Sequence, residues 1–230
     1  MAKSQKLEAL TAALHEVRSD PTSEAGLETL RQVIGSQYGI AVAQAAQIVA
    51  ESEIYALVPD LVKAFDRFMV KAKDRDPGCR AKDAIANALY RLEHSDETVF
   101  LQGIRHVQME PVWGGQVDTA PKLRGTCALC LVRMNYSRAM VELADLLADP
   151  EQEARIGAAR AIAYSGNDFG VALLRLRIKV GDVPAVVGEC LAALLKLAPA
   201  DSLPLVQSFL VPSLSSPDAD EKAEVAALVL

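Results

Sequence analysis

Cys127 and Cys130 stand at the Cys-x-x-Cys spacing that can grip zinc or cycle as a redox pair. A structural zinc site needs four ligands, and no second pair or nearby His completes the set. Both residues fall on the apolar face of a predicted helix, where Cys packs as a small hydrophobe. We therefore expect reduced structural thiols, with no metal and no cofactor. The three histidines, His15, His94 and His106, are scattered along the chain. No GxSxG, Gly-rich phosphate loop or HExxH is present, so no catalytic residue is assigned.

More informative is a spaced pair of opposite charges. Asp76, Asp118 and Asp149 each stand six residues before a base, at Lys82, Arg124 and Arg155. Taking Arg155 as an anchor, offsets +3, +4, +6 and +7 are Ala158, Ala159, Ala161 and Ile162. The same offsets are small and apolar from Val42, Lys82, Arg124, Val187 and Lys222. These positions lie on one face of a helix. Pro77, Pro121, Pro150, Pro184 and Pro217 precede the anchors by three or five residues, where a helix start tolerates Pro. Asp149 is placed to cap such a start, and Gly166 to end it. The anchors at 42, 82, 124, 155, 187 and 222 are 31 to 42 residues apart. That is the period of helical-hairpin repeats.

With these residues in view, the chain resembles the HEAT-repeat family over about 24–230. The second helix of that repeat opens with an Asp, then an Arg, then small apolar residues. The resemblance implies an all-α fold, a right-handed α-solenoid of about six helical hairpins. It also implies a ladder between neighbouring repeats, carried by Asp76–Lys82, Asp118–Arg124 and Asp149–Arg155, which should break at Val187, where the base is missing. Metal-binding hydroxylases of the HEAT type carry several His-Glu pairs; this chain has only His15-Glu16, so that activity is not expected.

Half of the residues are hydrophobic but only 5% aromatic, and small side chains suit closely layered helices. The net charge is −6 with a pI near 5.2, which argues against nucleic acid as the main partner. No run of eighteen apolar residues occurs, so no membrane span is expected. The opening MAKSQKLEAL lacks a signal-peptide core, and a cytoplasmic protein is expected.

In order, the spacing predicts an N-terminal capping helix within 1–22 and repeats near 23–53, 54–95, 96–136, 137–166, 167–199 and 200–230. Their helices are expected over 23–35 and 39–52, 54–73 and 78–93, 138–148 and 150–164, 168–180 and 184–197, and 201–213 and 218–230. The third repeat opens with a helix near 96–108 and then breaks at 109–121, MEPVWGGQVDTAP, an insertion holding two prolines, a Gly-Gly pair and the only Trp. The apolar ending AEVAALVL lacks the polar outer face of a terminal repeat. This suggests a longer array, or an end that meets another molecule.

Two surfaces are candidates for recognition. The 109–121 loop could present Trp113 as an aromatic anchor, or Trp113 could fold back and pin the loop. Offsets +5 and +9 of the second helices point away from the core stripe, and in the HEAT family these helices line the concave side. There Asn87, Arg91, Arg133, Arg160, Tyr164 and Lys196 are candidate partner contacts. Stacked at roughly 10 Å between layers, the basic members would form a ridge suited to an acidic protein or peptide; the alternative is solvated charge paired with neighbouring acids. The expected function is a non-catalytic binding scaffold or adaptor. Ala-rich repeats such as 149–166 also resemble those of phycobilisome bilin lyases, which implies tetrapyrrole handling as the alternative. A HEAT-like alkyl-base DNA glycosylase is disfavoured by the acidic charge.

Overall fold

The computed structural model describes residues 2–210 and 219–230. The protein is mostly helical, with fourteen α-helices and one two-stranded sheet among the described residues. No described helix is long and apolar enough to cross a membrane. The chain divides into two compact units, Met1–Cys127 and Ala128–Leu230.

The first unit opens with α1 (Ala2–Val17), which packs on α2 (Glu24–Ile34) and α3 (Gly39–Glu51) through Leu14 and Val17. Ser23 caps α2 by accepting from the Gly26 N–H. Next come α4 (Val58–Met69), the short α5 (Ala72–Arg75), α6 (Arg80–Arg91) and α7 (Glu97–Ile104). The strands β1 (Met109–Val112) and β2 (Gly115–Asp118) follow, and then α8 (Pro121–Arg133), which crosses the boundary between units. The second unit continues with α9 (Ala139–Leu147), α10 (Gln152–Ser165), α11 (Phe169–Val180), α12 (Pro184–Leu197), α13 (Pro199–Ser208) and α14 (Ala219–Leu228).

In the first unit the second helices α3 and α6 pack on each other; in the second unit α10 packs on α12, and α12 on α14. The small residues at the repeated offsets make this approach possible. Ala45, Ala46, Ala86, Ala128, Ala158, Ala159 and Ala161 have no exposed surface. Gly188 goes further: a Cβ there would overlap the Val225 side chain on α14. The last copy of the stripe is open, since Ala226 is buried while Leu228 is 80% exposed.

Three expected elements differ in detail. The helix expected over 54–73 is interrupted at Lys71, whose φ of +52° is left-handed. Arg75 donates to the Arg67 carbonyl at 3.1 Å and so satisfies the end of α4. The helix expected from 150 begins at Gln152, because Asp149 Oδ1 accepts from the Glu151 N–H at 2.8 Å and closes a turn first. The 109–121 insertion is a β-hairpin, with Met109 opposite Asp118 and Val112 opposite Gly115. Residues 211–213, Pro217 and 218 of the expected sixth repeat lie outside the described residues.

Candidate partner-binding hairpin and second-helix groove

The hairpin rests on a polar network that buries charge. Asp76 is 1% exposed and Lys82 not exposed at all. Asp76 Oδ1 accepts from Ala81 N at 2.8 Å, and Oδ2 from Lys82 N at 3.1 Å and Lys82 Nζ at 2.8 Å. The carboxylate thus caps α6 from outside its first turn. This lets Gly78 and Cys79 take left-handed φ of +73° and +56°. Asp118 repeats the arrangement ahead of α8. Its Oδ1 accepts from Gln108 N and Ala120 N, each at 3.0 Å, and Arg124 Nη1 reaches Oδ2 at 2.6 Å. Arg124 also donates to the His106 carbonyl at 2.9 Å.

Gln108 joins the two turns. Its side-chain amide donates to the Asp76 carbonyl at 2.8 Å and to Glu110 Oε1 at 2.6 Å. Glu110 Oε1 also accepts from Gly78 N at 2.7 Å and Thr119 Oγ1 at 2.8 Å. Burial by itself would raise the Asp118 and Glu110 carboxyls, but these donors outweigh it and hold both below the usual carboxylate range. Burial pushes His106 down, only partly opposed by its contact with Gln108. The hairpin base is therefore fixed by charge-assisted bonds rather than by an apolar plug.

Its tip is the opposite. Trp113 and Gly114 form the turn, and Gly114 holds φ +86°, a region Cβ-bearing residues rarely adopt. Trp113 is fully exposed and does not fold back. Met109, Val112 and Val117 are exposed beside it, and residues 111–117 carry no charge.

Asn87 and Arg91 share a groove of about 410 Å³ between α3 and α6, with Gln44, Gln47 and Lys122 on its walls. Asp83 is occupied there: Lys122 Nζ lies 2.9 Å from Oδ2, and Thr126 and Asn87 donate to Oδ1 at 3.2 and 3.3 Å. Arg91 is exposed and has no ion pair among the described residues. In the second unit, Arg160 and Tyr164 are exposed one turn apart on α10. Arg160 Nη2 meets Glu189 Oε2 of α12 at 2.8 Å; hydrogen bonding to Glu189 raises the guanidinium. Arg133 is half-buried, and Lys196 is exposed in the last turn of α12. Of the basic candidates, then, Arg160 is paired with an acid on the neighbouring helix.

The Asp–base pairs divide. Asp76–Lys82 and Asp118–Arg124 close within their own turns, and Gln108 supplies the link from one turn to the next. Arg155 donates to the carbonyls of Asp149 and Pro150, both at 2.8 Å, and then forks onto Asp182, at 2.7 Å through both Nε and Nη2. Asp182 also takes Arg177 at 3.0 Å. The link therefore continues into the turn before Val187, where the missing base suggested a break. Gln108, Glu110 and Asp182 were not among the sequence candidates, since no local motif marks them.

Cys127 and Cys130 are both fully buried, and neither forms a disulfide. Among the described residues no group of three or more His, Cys, Asp or Glu is placed to hold a metal ion. No protein-family model and no curated protein matches the chain.

Proposed function

We propose that the chain is a HEAT-like α-solenoid scaffold that holds a protein partner through the Trp113 hairpin, with the Asn87–Arg91 groove as a second contact. The observation that supports this reading is Trp113, a wholly exposed indole on a two-residue turn whose base is tied to the 76–78 turn by the Gln108 and Glu110 hydrogen bonds. A lone Trp is ordinarily highly buried. Covering roughly 150–250 Å² of aromatic surface contributes about 4–6 kcal/mol before ordering costs, and a rigid hairpin keeps those costs low. The groove adds amide donors and Arg91, which has no ion pair among the described residues; both suit an acidic or polar segment of the partner.

The test is crosslinking with mass spectrometry in native cell extract, comparing the full chain with Trp113→Ala and Arg91→Glu. Crosslinks from Lys122 to one partner are expected, weakened about tenfold by Trp113→Ala. A partner held equally well by both variants would sink the reading. The single Trp offers a second measure: its emission should be solvent-like and readily quenched in the free protein, and shift to the blue on capture.

A further inference from the structure

A cavity of about 560 Å³ opens in the first unit, lined by the turn before α3, the turn before α6 and the hairpin base. Its size falls within the range of small-molecule sites. Leu7, Tyr38, Ile40 and Pro77 supply apolar wall, and none of the four is buried.

Four charged side chains line the same cavity, and they are unequally satisfied. Asp76 is fully occupied: Lys82 Nζ lies at 2.8 Å, and both oxygens accept hydrogen bonds. Glu110 is not. Its three donors, Gly78 N, Gln108 Nε2 and Thr119 Oγ1, all bond Oε1. Oε2 has no hydrogen bond among the described residues, and Glu110 has no ion pair there. Arg75 uses Nη1 on the Arg67 carbonyl at 3.1 Å, and the Arg80 side chain has no hydrogen bond; neither meets an acid among the described residues. Opposite charges therefore line one cavity without pairing with each other, although Coulomb attraction favours their closing.

That arrangement suits a ligand carrying both signs. A bare anion would be repelled by Glu110, a bare cation by the two guanidiniums. A purely apolar ligand would strip water from all three charges and give nothing back. We propose that the cavity binds a small zwitterion with an apolar body, an apolar α-amino acid or a short peptide of such residues, with its ammonium at Glu110 Oε2 and its carboxylate at Arg75 and Arg80. A carboxylate matches the planar fork of a guanidinium. The site adjoins the hairpin base but uses neither the Trp113 indole nor the Asn87–Arg91 groove, so the two readings fail separately.

Calorimetric titration of the full chain with leucine, Leu-Leu and Leu-Leu-Leu tests it, and the tightest of the three tells a free amino acid from a peptide. Blocking either end of that ligand, as its N-acetyl or C-terminal amide form, should weaken binding at least about tenfold. Arg80→Gln should weaken the free-acid form by a similar factor, leave the amide form nearly unchanged and not move the thermal transition. Trp113→Ala should leave every affinity intact. The absence of saturable heat with all three ligands overturns the proposal. So does equal binding of the acetylated form, or displacement by an equal concentration of inorganic phosphate, either of which makes the cavity a plain anion site. An amide that binds as tightly as the acid, or an Arg80→Gln without effect, takes the arginines out of the site and equally overturns it.

Discussion

Arg155 on α10 reaches 27 residues along the chain to fork onto the carboxylate of Asp182, with both contacts at 2.7 Å. The acid is almost wholly buried and the guanidinium mostly so. Removing Asp182 would leave Arg155 and Arg177 without their shared counter-charge. Asp182→Ala should therefore cost about 3–5 kcal/mol in urea unfolding, by the usual penalty for breaking a buried pair. Arg155→Lys, which keeps the charge but loses the fork, should cost less, about 1–2 kcal/mol. A midpoint unmoved by Asp182→Ala would show that the pair is not stabilising.

Lys82 sits with no exposed surface against Asp76, and the pair also fixes the start of α6. Lys82→Met leaves a buried carboxylate and should lose about 3–5 kcal/mol. Adding Asp76→Asn should recover much of that, giving a favourable coupling of at least about 1 kcal/mol in the double-mutant cycle. Strict additivity of the two changes would contradict this coupling.

Acid should unfold the protein in two stages. Asp118, Glu110 and Asp182 all have folded pKa values below their ordinary ones. As pH falls through about 4 the unfolded chain binds their protons first, so their stabilisation, complete above that range, is lost toward the lower folded values. His106 is also depressed, by burial. Its contribution is present above about 6.5 and is lost as pH drops below it. Melting temperature against pH should show a shallow upper limb that His106→Asn removes and a steep lower one that Asp118→Asn flattens. Identical curves for wild type and both variants would refute the assignment.

The four cysteines are all buried, and none forms a disulfide. Burial pushes the Cys79, Cys130 and Cys190 thiols up to about 12, so almost no thiolate exists at neutral pH. A chromogenic disulfide reagent should be consumed slowly by the native chain and rapidly, at four equivalents, in denaturant. Rapid native reaction at Cys127–Cys130 would revive a redox reading of that pair.

Much of the helical layout was legible in sequence because it is local. The Ala and Cys residues at fixed offsets from Lys82, Arg124, Arg155 and Val187 report a buried helical face directly, and the structure buries them. The hairpin was not legible, since Pro111 and Gly114-Gly115 signal interruption equally well for a loop. Only the alternation around Trp113-Gly114 hinted at two strands. Whether Trp113 turned inward or outward could not be read either; the bonds from Gln108 and Glu110 to the 76–78 turn, some 32 residues away in the chain, decide it.

By itself the sequence determined the helical periodicity, the small-residue stripe that lets second helices pack, and the Asp-to-base spacing that caps their starts, because each depends on contacts within a turn or two. Tertiary structure decided which acid each base meets, as with Arg155 and Asp182, and which apolar residues stay in water, as with Trp113. Periodicity marks a face as apolar, but only the packed neighbours determine whether anything covers it.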